Sequence, residues 1–484
     1  MPADPFCSAL ELASAIRERR CTAAELVELY LSRIERHNAA LNAVCTLDAA
    51  GARRRAREAD AALARGERQG PLHGVPMTIK DALETEGVRT TGGHPPLKDY
   101  VPARDAPAVA RLRAAGAILL GKTNVPPLSA DYRADNPIFG RTNNPWHVER
   151  TPGGSTGGGA AAVAAGLSAF DVGSDLAGSV RTPAHFCGLF ALKATERRIP
   201  NAGHIPEPPG QPRAVRHMNV LGPLARSLED LGTLTRILSG PDPREPDVPP
   251  VPWEEPAQKA LREHRFAWST DFGGIPVTRE TKQAIGRLAA ELARCGCVVE
   301  ERNPEGFDFG AAWETWGEIA ICERAATSRE RSAERVAALN ATLGEHWAVA
   351  RGSAKGVHAG VAEYMGALNR RDALIGVLER FFQRWDAFLC PVSVGPAIAH
   401  VPFGTPIDVD GHAVPYFIAG TAYTCPFNLT GHPAVVVPLT RSTEGLPIGV
   451  QLVGRRWSEP ALLAAARMLS AISGSFVPPP LFRS

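Results

Sequence analysis

The sequence predicts an α/β protein with a largely covered sheet. Short apolar runs of strand length, Val75 to Ile79, Ala117 to Leu120 and Ala169 to Val172, are separated by helix-like stretches such as Ala106 to Ala115 and Gly159 to Leu167. Strands alternating with helices are the pattern of a sheet carrying helices on its faces. The alternation breaks at a proline-rich segment and then resumes, and no repeat with a period of roughly 20 to 50 residues is present. A single domain over residues 1–484 accounts for this organisation.

Each element has a local reason. Thr22-Ala23-Ala24-Glu25 is a capping box, after which Leu26, Val27, Tyr30, Leu31 and Ile34 fall on one helical face. Between Pro241 and Pro256 seven prolines stand among mostly polar residues, which forbids a helix or a central strand and predicts a surface connection over 241–262. Beyond it Phe266 to Ser269 reads as a strand, Thr278-Arg279-Glu280 opens a helix that Gly296 ends, and Val298-Val299 begins another strand. Residues 308–383 are helical in pattern and carry Trp313, Trp316, Trp347 and Tyr364, so this block is the expected cover of a pocket. Its tryptophans read as packing residues. Ala387 to Val392, Ala434 to Leu439 and Ile448 to Val453 return the chain to the sheet.

Composition removes several function classes. With 484 residues, 44% of them hydrophobic, and a net charge of +2, the chain can bury a large core and has no basic excess for nucleic acid. No apolar stretch reaches the roughly 18 residues of a membrane span, and the opening Met1-Pro2-Ala3-Asp4-Pro5 lacks a basic region followed by an apolar run. Nine cysteines, an odd number thinly spread, fit reduced thiols better than a disulfide framework, so a cytoplasmic protein is expected. Cys295-Gly296-Cys297 has no second pair at zinc spacing and reads as a helix-to-strand turn, and the thirteen histidines form no metal-binding cluster.

The informative residues are Lys80 in Gly74-Val75-Pro76-Met77-Thr78-Ile79-Lys80-Asp81, Ser155 in Gly153-Gly154-Ser155-Thr156-Gly157-Gly158, and Ser179 in Asp175-Leu176-Ala177-Gly178-Ser179-Val180-Arg181. This trio resembles the catalytic signature of the amidase signature family. The likeness continues through Gly121-Lys122-Thr123-Asn124, Phe139-Gly140-Arg141-Thr142-Asn143-Asn144-Pro145-Trp146, Arg181-Thr182-Pro183-Ala184 and Gly445-Leu446-Pro447-Ile448-Gly449-Val450-Gln451, with the signature core over 60–240. The resemblance implies an α/β/α sandwich around a mixed central sheet, and amide hydrolysis without metal or organic cofactor. It also implies a cis peptide between Gly154 and Ser155, and loop-holding roles for Asp175 and Arg181.

The residue chemistry agrees with those roles. Acyl transfer needs an activated hydroxyl, a proton acceptor and donors for the oxyanion. Ser179 is the expected nucleophile, with the backbone amides of Leu176, Ala177, Gly178 and Ser179 as oxyanion donors beside small residues that admit a substrate carbonyl. Lys80 closes a strand-like run, where burial would lower an amine from about 10.4 toward a useful base. Ser155 then relays the proton between Ser179 and Lys80. Thr156 stands where the family usually has a second serine, Ala177 where many members have glycine, and Pro127 where several have glutamate.

Competing readings are weaker. Gly153 to Gly159 lacks the lysine of a phosphate-binding loop. Gly153-Gly154-Ser155-Thr156-Gly157 fits G-x-S-x-G, yet the preceding His147-Val148-Glu149-Arg150-Thr151-Pro152 is no buried strand. The amide-hydrolysing chain of an amidotransferase would share the trio, although Leu192-Lys193-Ala194-Thr195-Glu196-Arg197 and the proline-rich link do not resemble that branch. The expected substrate is a small-molecule linear amide, with carbamates and aryl esters as alternatives. The pocket is expected from the helical block and Asn124 to Tyr132, and a homodimer is compatible with all of this.

Overall fold

The computed structural model describes residues 4–205, 209–211 and 213–483, so Met1 to Ala3 of the N-terminal segment lie outside the described residues. Eleven strands build the framework, in chain order β1 (Val44–Leu47), β2 (Pro76–Lys80), β3 (Ile118–Thr123), β4 (Asp171–Asp175), β5 (Phe190–Lys193), β6 (Val220–Ala225), β7 (Arg265–Trp268), β8 (Val298–Glu301), β9 (Ala387–Pro391), β10 (Ala434–Arg441) and β11 (Pro447–Val453). The large sheet has eight strands in the order β8-β7-β9-β11-β10-β5-β6-β4, and a three-stranded sheet runs β1-β3-β2. Pairing is parallel for β8–β7 and β7–β9 and antiparallel from β9–β11 onward to β6–β4, so the large sheet is mixed as expected. Two backbone hydrogen bonds, Thr78 N to Phe170 O (3.2 Å) and Ala169 N to Pro76 O (3.3 Å), join the small sheet to the approach of β4.

Both faces of the large sheet are buried over its central strands, although the edge strand β8 is mostly exposed, and the strand period of two sorts the side chains between two cores. On β9, Leu389 enters the core that holds the N-terminal helices, while Phe388 and Cys390 enter the core that holds the helical block. On β11, Val450 and Leu452 go to the first and Val453 to the second. Helices therefore lie on both sides of the sheet. Burying one Leu or Phe contributes roughly 1.5–3 kcal/mol, so exchanging the two faces by a one-residue slip would cost many such contacts.

The helix Ala23–Leu41 begins at the Thr22 capping box, with Glu25 N donating to Thr22 Oγ1 (3.1 Å) and Thr22 N to Glu25 Oε2 (2.8 Å). Residues 308–383 form four helices, Phe309–Ala325, Arg329–Leu343, Ala348–His358 and Val361–Phe381. Cys295 to Cys297 connects the helix Arg279–Arg294 to β8, with all nine cysteines free. The proline-rich stretch contains no helix or regular strand up to Ala260, yet it is not purely superficial. Its Glu245 is buried, accepts from Asn201 N (2.5 Å) and Ala202 N (3.0 Å), and pairs with Arg213 at 2.7 Å. Among the described residues no helix is long and apolar enough to cross a membrane.

Candidate active site

Lys80 ends β2 and is completely buried. Its Nζ donates to Ser155 Oγ at 2.6 Å and to Ser174 Oγ at 2.9 Å. Burial lowers its pKa from 10.5 to about 7, against the opposing pull of Asp175 and Asp171. A substantial share of this amine is therefore uncharged near neutrality.

The apolar pattern predicts β4 as Ala169 to Val172 and does not single out Ser174. The strand instead runs Asp171–Asp175 and is buried throughout. Its polar end stays in the sheet because each side chain finds a partner. Thr78 and Thr123 hydroxyls donate to Asp171 Oδ2 at 2.7 and 3.0 Å, and Ser174 meets Lys80. A polar strand end next to a buried lysine was the available signal.

Ser155 follows a cis peptide at Gly154 and is also completely buried. A Cβ on Gly154 would lie 2.7 Å from Arg133 N and Tyr132 C, so no other residue fits there. No strand lies between Thr142 and Ser155, and the partner of Ser155 is a lysine, which disposes of the nucleophile-elbow geometry. Thr156 N donates to Ser179 O at 3.1 Å and ties the second serine loop to the first. Its methyl fills the space where a Cβ on Gly173 would sit, which explains how threonine is accommodated in this chain.

Ser179 lines a cavity together with Gly154, Leu176 and Ala177. Among the described residues its hydroxyl makes no hydrogen bond, and contacts of this kind commonly tighten only once substrate is bound. The Gly178 amide, expected among the oxyanion donors, donates instead to Asp175 Oδ1 at 2.7 Å, while the amides of Leu176, Ala177 and Ser179 have no such acceptor among the described residues. Leu176 O accepts from Trp316 Nε1 (3.1 Å) and Ala177 O from Thr424 Oγ1 (2.7 Å), so the carbonyls of the loop are pinned from outside. Trp316 thus does more than pack: it holds the loop and forms a wall of the cavity, whereas Trp313 is buried with Nε1 on Ala422 O (3.0 Å).

Asp175 and Arg181 are both fully buried and pair at 2.9 Å. Burial opposes ionisation of Asp175, but Arg181, Lys193 and the Gly178 N–H outweigh it and hold the carboxyl well below its usual range. Asn428 Nδ2 adds bonds to Asp175 O (2.9 Å) and Oδ1 (3.0 Å), while Arg181 reaches Gln451 Oε1 (3.0 Å) and Thr424 O (3.2 Å). Lys122, from the Gly-Lys-Thr-Asn run, donates to Leu83 O and Thr85 Oγ1 and is structural.

The cavity measures about 1070 Å³ counted out to its open mouth. It is walled by Ser129 to Tyr132, by the helical block through Trp316, Ile321 and Leu339, and by Tyr416 and Phe417. Pro127, where a family glutamate was absent, opens the short turn Pro127–Ser129 that leads into this wall. Among the described residues no group of three or more His, Cys, Asp or Glu side chains is placed to hold a metal.

A doubly covered mixed sheet with a buried amine against two hydroxyls, beside a third hydroxyl in an apolar cavity, defines the class. Known proteins give it a family. The Amidase family model matches residues 25–463. Indoleacetamide hydrolase of Bradyrhizobium diazoefficiens is 35% identical over 470 residues, which cover 96% of this chain and 86% of that protein. A glutamyl-tRNA(Gln) amidotransferase subunit of Moorella thermoacetica is 32% identical over 486 residues, 95% of each. The structure of 6-aminohexanoate cyclic dimer hydrolase complexed with substrate superposes with a TM-score of 0.80 at 27% identity, covering 99% of this chain and 100% of that one. The chain belongs to the amidase signature family, and it is an enzyme acting on amides.

Proposed function

We propose that the protein hydrolyses carboxylic amides through an acyl-enzyme formed on Ser179, with Ser155 as proton relay and Lys80 as base. The observation that carries this reading is the 2.6 Å contact between a fully buried Lys80 amine and Ser155 Oγ. In the first half-reaction Ser179 Oγ attacks the carbonyl carbon, its proton passes to Ser155 Oγ, and the proton of Ser155 passes to Lys80 Nζ. The oxyanion is received by the free amides of the Leu176–Ser179 loop. The relay then returns a proton to the leaving nitrogen, and water repeats the sequence to release the acid and regenerate Ser179. No metal or organic cofactor enters these steps.

Carbamates and aryl esters present a similar carbonyl to the same groups and are second substrates of this reading. The nine free cysteines fit a reducing compartment, which supports a cytoplasmic location, and the substrate is a small molecule rather than a nucleic acid. Purified protein should hydrolyse simple amides without ATP or a partner chain, Lys80→Ala should lower the rate by about two to four orders of magnitude, and a fluorophosphonate probe should label Ser179. Labelling at another residue, or hydrolysis undiminished in Ser179→Ala, would overturn the reading. Activity only with a partner would support the amidotransferase alternative, which the 32% identity to such a protein keeps in view.

A further inference from the structure

The wall of the cavity is mostly apolar, but two arginines, Arg324 and Arg335, line it together with Ser353 and Thr421. Arg324 donates to Ala320 O at 3.1 Å within its own helix, whereas Arg335, an exposed residue on the helix Arg329–Leu343, reaches the segment Ser129 to Tyr132. Its only hydrogen bond among the described residues is a long one, Nη2 to Ala130 O at 3.5 Å, and no carboxylate among them lies within ion-pair distance of it. The acid in the same wall is already used. Asp131 Oδ2 pairs with Arg133 at 2.8 Å, and Oδ1 accepts from Tyr132 N and the Tyr416 hydroxyl, both at 2.7 Å. Next to it the Ser129 hydroxyl is shielded from water and meets no partner among the described residues.

Arg335 and the Ser129 hydroxyl thus border a mostly apolar chamber whose acidic lining residue, Asp131, acts on Arg335 by its charge while its oxygens are bonded to Arg133, Tyr132 and Tyr416. Among the described residues the Arg335 fork is held by no protein carboxylate at ion-pair distance, so a ligand carboxylate can take the place of water on it with matching bidentate geometry. The acyl group is the portion that stays attached to Ser179 after the leaving group departs, so contacts with it persist through both half-reactions. We propose that the preferred substrates are amides whose acyl group is an apolar body ending in a carboxylate, received by Arg335 with Ser129. This rests on the acyl-enzyme reading and narrows it to a substrate class.

The test compares matched p-nitroanilides of straight-chain monocarboxylic acids and of the corresponding dicarboxylic acids, over several chain lengths. At low ionic strength the ω-carboxylate member should have a kcat/KM about tenfold higher at its best length, the advantage shrinking with added salt. Arg335→Gln should bring the ratio of the two substrates to about one, and Arg335→Lys should restore part of it. A ratio near one in the wild type, or a preference that survives in Arg335→Gln, overturns the proposal. Calorimetric binding of the same pairs to Ser179→Ala reads the preference without turnover. Tighter binding of the carboxylate member that Arg335→Gln abolishes upholds the inference even if no p-nitroaniline is released, an outcome that would instead sink the acyl-enzyme reading.

Discussion

At the scale of single residues, the proposed role of the buried Lys80 amine as base predicts a pH response. Lys80 must be uncharged to take a proton, and burial puts its pKa at about 7, so kcat/KM should rise roughly tenfold per pH unit below that value and level off above it. Asp175 and Asp171 are the charged groups that oppose this lowering. Ser174 accepts from the charged form of the amine, and its loss disfavours that form. Ser174→Ala should therefore move the acid limb to lower pH and reduce kcat by about tenfold. A limb that stays in place, measured by pH–rate profiles of both proteins, would remove Ser174 from the site. The low pKa of Lys80 follows from the sequence only in outline, since desolvation depends on what the fold packs around the amine.

At the scale of elements, the loop after β4 is the exacting one. Gly178 has φ of +108°, and a Cβ there would meet Thr424 Oγ1 at 2.6 Å and Thr182 Oγ1 at 2.9 Å. Gly178→Ala should destabilise the protein by about 1–3 kcal/mol and, on the proposed mechanism in which this loop presents the nucleophile and the oxyanion donors, lower kcat far more than it raises KM. A variant with wild-type kinetics and reduced stability alone would separate the loop from catalysis. Much at this scale was legible in the sequence. The runs Val75 to Ile79, Ala387 to Val392 and Ile448 to Val453 became β2, β9 and β11 because strands buried on both faces read as continuous apolar runs. The end of β4 was not legible, because Ser174 is buried against Lys80, 94 residues away in the chain, and the Arg181 that pairs with Asp175 is itself held by residues from Thr424 onward. Likewise Thr424, Asn428 and Gln451 carry no local mark of a role, and Trp316 reads as a packing residue until the fold places its indole N–H on Leu176 O.

At the scale of the whole molecule, the helical block is fastened to the sheet by buried polar links as well as apolar packing. Arg371 bonds Glu196 and donates through Nε to Leu429 O at 2.6 Å, and Glu323 accepts from Tyr364 at 2.8 Å and from the backbone of Arg216 at 2.8 Å. Arg371→Met leaves the Glu196 charge buried without its partner and should cost about 3–5 kcal/mol in urea unfolding. Pairing it with Glu196→Gln should recover a large part of the loss, and a double variant no more stable than the single one would refute this account of the link. The clamp on Asp175 reaches further still. Arg181 draws its acceptors from Thr424, Asn428 and Gln451, 243 to 270 residues downstream. A fragment ending soon after the serine loops would keep Lys80, Ser155 and Ser179 but lose the acceptors from Thr424 onward that hold Arg181. The chemistry is therefore not a portable cassette, and recombination that moves it between proteins has to exchange the chain almost end to end.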